Sequence, residues 1–77
     1  MDARELRLLE ELAPTHPDLQ ALWDEHILFE KQLEKLEKKS YRPPQEERQM
    51  RELKKQKLDG KTRLVALLDR YAAAKEG

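Results

Sequence analysis

The sequence predicts an all-α protein: an antiparallel two-helix hairpin that resembles a coiled coil and carries a short N-terminal helix. Three observations predict this fold. Apolar residues recur in steps of three and four, the prolines fall in two short stretches, and no segment of strand length alternates apolar and polar residues. At 77 residues, the chain has room for a single domain, residues 1–77, with a thin core.

The composition narrows the class of protein further. Lysine and arginine total 16, as do aspartate and glutamate, so the formal net charge is zero. The chain has no cysteine, which excludes disulfides, a thiol nucleophile and a Cys-ligated zinc site. No apolar stretch approaches the roughly 20 residues of a membrane span, and the acidic opening lacks the apolar segment of a signal peptide. We therefore expect a soluble, cytoplasmic protein that is not an enzyme.

The first helix is predicted over about residues 3–12. Leu6, Leu9 and Leu12 lie on one stripe of this segment. Pro14 disfavours helix at the residue before it, so the helix should end there. A helix this short is only marginally stable alone.

The second helix is predicted over about residues 16–39. The hydroxyl of Thr15 can cap its first amides, Asp18 supplies the acidic half of a capping box, and Pro17 fits in the first turn. Three lysines near residue 39 suit the negative end of the helix dipole. Its apolar seam follows alternating steps of three and four: Leu19, Leu22, His26, Phe29, Leu33 and Leu36.

The third helix is predicted over about residues 44–74, after a turn at residues 40–43. Pro44 followed by Glu46 and Glu47 is typical of a helix start. Two long helices joined by so short a turn should lie antiparallel. The seam of this helix is predicted to be Met50, Leu53, Lys57, Gly60, Leu64, Leu67 and Tyr71.

The two seams predict a register. Phe29 should lie along the aliphatic stem of Lys57, while Gly60 should leave room for the imidazole of His26. The full set of predicted pairs is Leu36 with Met50, Leu33 with Leu53, Phe29 with Lys57, His26 with Gly60, Leu22 with Leu64, and Leu19 with Leu67.

Apolar residues remain beside these seams, and antiparallel packing should merge them into one surface, the lateral face. Its members are Trp23, Ile27, Leu58, Val65 and Leu68. So much apolar surface should be covered, either by the N-terminal helix or by a second copy of the chain. Both coverings are compatible, and under the second we hypothesise that Trp23→Ala dissociates a homo-oligomer.

The residues do not predict a catalytic, metal or cofactor site. His16 and His26 lie about 80° apart around a helix, so they do not converge as metal ligands. Ser40 is the sole serine, it falls in the turn, and the two glycines cannot form a phosphate loop. We therefore predict no catalytic residue, no metal ligand and no cofactor.

A basic segment surrounds the predicted turn and could contact phosphates or an anionic surface. Glutamates interleave with these bases, a pattern equally typical of a solvated helix face, and Tyr41 is the one aromatic residue placed to stack on a base. This basic tip consists of Lys35, Lys38, Lys39, Arg42, Arg48, Arg51, Lys54 and Lys55.

The stretch HPDLQALWDEHILFEKQLEKLE, followed after the turn by LKKQKLDGKTRLVALL, resembles the YdcH-like family of small bacterial proteins of unknown function. The similarity covers roughly residues 12–70, and departs from the family pattern at Phe29, Gly60 and Thr62. It implies a helical hairpin in a bacterial cytoplasm and no particular activity. The matching positions are His16, Pro17, Leu19, Leu22, His26, Lys54, Lys55, Lys57 and Leu58.

These observations predict a non-enzymatic module for protein–protein interaction or self-association. The expected partner is a second copy, in a dimer or higher homo-oligomer, or another protein that the sequence does not identify. The alternative function is an accessory protein that binds nucleic acid or an anionic surface through the basic tip.

Overall fold

A computed structural model describes residues 2–76, and within them the chain is all-helical with no strand. Helix α1 spans Ala3–Leu12 and is followed by a short 3-10 turn, Ala13–Thr15. Helix α2 spans Pro17–Glu37, and helix α3 spans Pro44–Glu76. The all-α class and the three helices are thereby confirmed. Within the same residues, no helix combines the length and the apolar character needed to cross a membrane.

Helix α1 begins with a capping box that the sequence analysis did not predict. The Asp2 Oδ1 atom accepts a hydrogen bond from the backbone N–H of Glu5 at 2.8 Å, and the Glu5 carboxylate accepts one from the Asp2 N–H. These bonds satisfy amide groups that have no partner inside the helix. They help a ten-residue helix, which is marginal in isolation, to form.

The predicted capping box at the start of α2 is wrong. The capping residue is His16, because Pro17 occupies the first helical position, and no side chain caps the helix there. Thr15 belongs to the 3-10 turn, and its hydroxyl donates to the carbonyl of Leu12 at 3.1 Å. The Asp18 Oδ1 atom instead accepts from the backbone N–H of the next residue at 2.9 Å.

The end of α2 also differs from its prediction, since the helix stops at Glu37 rather than residue 39. Arg42 folds back from the turn and its Nη1 atom donates to the carbonyls of Leu36 and Lys39, at 3.2 and 3.4 Å. A side chain thus satisfies carbonyls that further helix would otherwise use. Helix α3 runs two residues beyond its predicted end, to Glu76.

One end of the molecule, the three-helix end, is built from α1, the 3-10 turn, the first part of α2 and the last part of α3. Leu8, Leu22, Trp23, Leu67 and Tyr71 pack partly buried around its core. Its buried core consists of Leu9, Leu12, Ala13, Leu19, Leu64 and Leu68.

The opposite end, the two-helix end, is built from α2, α3 and the turn between them. Leu33, Leu36 and Leu53 are buried there, with Phe29 and Met50 packed against them. In the polar contacts between α2 and α3, residues later in α2 contact residues earlier in α3. From the far end towards the turn, these pairs are Asp18 with Tyr71, Glu30 with Lys57, and Glu37 with Lys54. In the turn itself, Lys39 pairs with Glu46 of α3.

The buried stripe of α3 differs from the predicted seam at the three-helix end. Leu64, Leu68 and Ala72 are buried, whereas Leu67 and Tyr71 are only half-buried. The stripe advances in steps of four because α1 packs against α3 and draws a different side of the helix into the core. The predicted seam considered α2 and α3 alone and so did not include the contact between α1 and α3.

The predicted layer of His26 and Gly60 is wrong as well. A methyl group built on Gly60 would approach a single side-chain atom within 4 Å, Glu25 Oε1 at 4.0 Å. Gly60 therefore faces the Glu25 side of α2 and leaves no space that the imidazole of His26 fills. His26 is nevertheless buried, with 6% of its surface exposed.

Candidate interaction surface

Helix α1 covers one part of the lateral face. Leu68 is completely buried beneath it, and Trp23 is half-buried against the same core. Ile27 and Val65 remain half-buried, while Leu58 is 68% exposed. The N-terminal helix thus covers the end of the face near Leu68 and leaves the part around Leu58 open to solvent.

Where α1 begins, a pocket of about 360 Å³ opens between it and α2. The apolar lining comes from Leu6 of α1 and from Trp23 and Ile27 of α2. The polar lining comes from His26 and Glu30. This α1–α2 pocket is mostly apolar with a few polar groups, a composition typical of sites that receive a ligand or a partner side chain.

The polar part of the α1–α2 pocket is a histidine–carboxylate pair. His26 Nε2 lies 3.0 Å from Glu30 Oε1, one helical turn further on. An ionised carboxylate can only accept, so Nε2 carries the hydrogen and donates it. In the neutral ring Nδ1 is then an acceptor, and within the described residues it has no hydrogen-bond partner. The pair directs the Glu30 carboxylate along the edge of the pocket.

A second depression, the Leu58 groove, lies next to the α1–α2 pocket and has a volume of about 370 Å³. The Glu30 carboxylate that lines the pocket is 3.7 Å from the Lys57 ammonium, which lines the groove. The two depressions are therefore neighbours on one side of the molecule. The groove is lined by Leu33, Glu37, Lys54, Lys57, Leu58 and Lys61.

Leu58 is the principal apolar feature of this groove. Three lysines line the groove with it, but Lys54 is paired with Glu37 and Lys57 with Glu30, at 4.0 and 3.7 Å. Lys61 is the lysine of the groove that has no ion pair within residues 2–76. Complete burial of a leucine side chain is worth about 1.5–3 kcal/mol relative to full exposure. A partner that covered Leu58 would gain much of this free energy, and an acidic group on that partner could pair with Lys61.

Four lining residues of this surface are in none of the predicted sites: Leu6, Glu30, Glu37 and Lys61. Leu6 shares the apolar stripe of α1 with Leu9 and Leu12, yet it is exposed and lines the α1–α2 pocket. The spacing of Glu30 four residues after His26 was a visible signal, but the pocket itself forms only when α1 packs beside α2.

The basic tip is partly neutralised by ion pairs. Lys38 lies 2.9 Å from Glu34, and this hydrogen bond lowers the pKa of the Glu34 carboxyl below its ordinary value. Three further bases meet carboxylates: Lys39 with Glu46, Arg42 with Glu47 and Lys54 with Glu37.

The remaining members of the basic tip show no ion pair within residues 2–76. They are Lys35, Arg48, Arg51 and Lys55. Beside them Tyr41 is 77% exposed in the turn. The tip therefore keeps part of its cationic character and one aromatic side chain open to solvent.

His16 lies at the three-helix end rather than beside His26. Its ring centroid is 4.0 Å from that of Tyr71, and the Tyr71 hydroxyl donates to Asp18 Oδ2 at 2.6 Å. This hydrogen bond lowers the pKa of Asp18 and raises that of Tyr71. Within residues 2–76, no three histidine or carboxylate side chains are grouped so that they could hold a metal ion.

No protein-family model, curated protein or solved structure matches the chain. The resemblance to the YdcH-like family therefore stays a prediction from the residues quoted above.

Proposed function

We propose that this chain is a non-enzymatic interaction module, and that it binds a protein partner through the surface around Leu58. The observation that carries the proposal is the 68% exposure of Leu58 next to an open, mostly apolar pocket. Water-exposed leucines cost little individually, but one that adjoins a pocket and a groove marks a surface suited to a partner.

The scaffold for this surface is an antiparallel hairpin of α2 and α3 within one domain. The order of the interhelical pairs supports that arrangement, because residues near the start of α2 contact residues near the end of α3. A hairpin holds the pocket and the groove on rigid helices, which favours a specific contact. The bacterial cytoplasm that the family resemblance implies remains the proposed location.

The first partner that we propose is a second copy of the chain. A small domain with a thin core often gains stability by self-association. The uncovered part of the lateral face is the surface available for it, since α1 already covers the part near Leu68. An unrelated protein that presents the apolar face of a helix would suit the same surface.

The second candidate function is binding of nucleic acid or an anionic surface by the basic tip. The exposed Tyr41 favours it, because an aromatic ring beside bases can stack on a nucleobase. The ion pairs of Lys38, Lys39 and Arg42 weigh against it, since their carboxylates would repel phosphates.

Affinity purification of the tagged chain from its native lysate, at low and at high salt, separates the two functions. A protein partner held by apolar contacts should remain at high salt, whereas nucleic acid held by phosphate contacts should be lost steeply. Mass spectrometry and a nucleic-acid assay identify what is retained.

Two variants serve as matched baits in this purification. Leu58→Glu should lose the protein partner, while Leu28→Glu, which alters a leucine that is 52% exposed outside both depressions, should keep it. Equal capture by both variants would remove the Leu58 surface from the proposed function.

A further inference from the structure

We infer that two copies of this chain pair about a two-fold axis, with Leu58 of each copy seated in the α1–α2 pocket of the other. The inference rests on the proposed function and specifies its partner. It commits to one geometry, in which an exposed leucine of one copy fills an open apolar pocket of the second.

The first argument is shape. Leu58 is the most exposed leucine of the described residues, and the pocket beside it has room for a leucine side chain. Leu6, Trp23 and Ile27 would surround the inserted side chain with apolar atoms. Insertion would remove both the leucine and the pocket lining from water, which is the main source of affinity at such contacts.

The second argument is charge. Of the three lysines that line the groove with Leu58, Lys54 and Lys57 are paired within their own chain, whereas Lys61 has no ion pair within residues 2–76. The pocket carries the Glu30 carboxylate at its edge. Insertion of Leu58 would bring Lys61 of one copy towards Glu30 of the other, and this attraction helps to set the orientation of the two copies.

The third argument is symmetry. The pocket and the Leu58 groove are neighbours, because the Glu30–Lys57 ion pair of 3.7 Å joins their linings. Because Leu58 and the pocket lie on the same side of the molecule, a two-fold axis through the interface can place Leu58 of each copy in the pocket of the other, so that the contact forms twice. Two burials of a leucine then contribute to one association.

The size of the molecule agrees with such an interface. Its extents are 50 × 20 × 17 Å, so one long side is large enough for the roughly 800 Å² per partner that standard interfaces bury. Trp23→Ala is no longer a suitable test of the dimer, because Trp23 packs on the core of its own copy and its loss would weaken the fold. Leu58 is exposed, so its replacement tests association with little effect on folding.

The first experiment measures self-association by sedimentation velocity over a concentration series. The chain should dimerise, Leu58→Glu should raise the dissociation constant at least about tenfold, and Leu28→Glu should leave it unchanged. Circular dichroism and thermal melting check that both variants fold. A chain that stays monomeric at every concentration, or a Leu58→Glu variant that dimerises as the parent does, overturns the inference.

The second experiment tests the geometry by cysteine cross-linking, which is clean because the chain has no native cysteine. A Leu58→Cys chain is mixed with a differently tagged Ile27→Cys chain or, as the control, with a Leu28→Cys chain. The 58–27 disulfide should form several-fold faster than the 58–28 disulfide.

The outcomes separate this inference from the proposed function. Equal cross-linking rates overturn the two-fold geometry but leave an interaction module intact. A monomeric chain that captures a protein at high salt through Leu58 also overturns the geometry and retains the function. If Leu58→Glu changes neither self-association nor capture, both fail.

Discussion

The two ends of the molecule exclude water to different degrees. Among the residues whose burial is described, 2–75, four large side chains are completely buried, and all lie at the three-helix end: Leu9, Leu19, Leu64 and Leu68. The buried leucines of the two-helix end keep 5–8% of their surface exposed. A pair of helices shields its seam from two sides, and α1 supplies the third side at one end. The ten residues of α1 thus convert a thin two-helix seam into a core that is closed to water.

Polar contacts are concentrated at the opposite end of the molecule from the completely buried side chains. Ion pairs surround the turn of the two-helix end, where Lys39 meets Glu46 and Arg42 meets Glu47. Within residues 2–75, the three-helix end has fewer ion pairs, among them that of Lys75 with Glu11. We therefore expect apolar substitutions to matter most at the three-helix end and polar ones at the tip.

The largest expected effect comes from truncating a core leucine at the three-helix end. Leu64→Ala should lower the free energy of unfolding by about 3 kcal/mol, because it leaves a cavity among completely buried neighbours. Leu53→Ala, its counterpart at the two-helix end, should cost about 2 kcal/mol, since water and nearby side chains can enter the space. Urea denaturation followed by circular dichroism measures both. If the two variants lost the same free energy of unfolding, the two ends would not differ in how tightly they are packed.

A smaller and opposite effect is expected at Gly60, which lies between the two ends. Gly60→Ala should stabilise the protein by about 0.5–1 kcal/mol, because alanine favours helix and its methyl group meets just the tip of Glu25 at 4.0 Å. Ala66→Gly, at an exposed position of the same helix, is the matched control and should destabilise by a similar amount. A destabilising Gly60→Ala would mean that the space beside Gly60 is needed after all.

At the tip, Arg42→Ala should cost about 0.5 kcal/mol. It removes the 2.8 Å ion pair with Glu47 and the hydrogen bonds to two carbonyls at the end of α2, all in a partly exposed setting. The loss should shrink with added salt, because the ion pair is screened. Chemical denaturation at two salt concentrations measures it, and Arg48→Ala, which alters an exposed tip base, serves as the control.

The smallest expected effect is a change in acid sensitivity at the three-helix end. Tyr71→Phe removes the hydrogen bond to Asp18, so the pKa of Asp18 should rise towards its ordinary value of 3.8. A carboxyl whose pKa is lowered by folding adds stability above its unfolded pKa, and this stability disappears as the pH falls through the folded pKa. The variant should therefore lose less stability on acidification. An NMR titration of Asp18 checks the shift, and an unchanged pKa would contradict it.

Much of the fold followed from local sequence signals. The bounds of α1 match the predicted ones, but Pro14 does not move Ala13 out of the helical region: Ala13 keeps φ −56° and ψ −39°, and the chain continues in the 3-10 turn. Pro14 ends the α-helix instead because it has no N–H to donate to the carbonyl four residues earlier. The apolar residues nearest the turn also fall in one cluster, since steps of three and four place them on one side of each helix. Local backbone chemistry and periodicity decided these features.

The remaining features depended on tertiary contacts that periodicity does not encode. The sequence pattern places Leu68 on the lateral face, yet docking of α1 buries it completely. The α1–α2 pocket could not be predicted for the same reason, because Leu6 and Trp23 line it from different helices. The predicted layer of His26 and Gly60 does not form, because Gly60 faces Glu25.

The packing of α1 also has a consequence for folding during synthesis. Helix α1 precedes α2 and α3, and its core partners come from both: Leu19 from α2, and Leu64 and Leu68 from near the end of α3. Since synthesis runs from the N-terminus, α1 can contact α2 early, but its core cannot close until the end of α3 has been made. Leu9 and Leu12 are therefore not fully covered until that point.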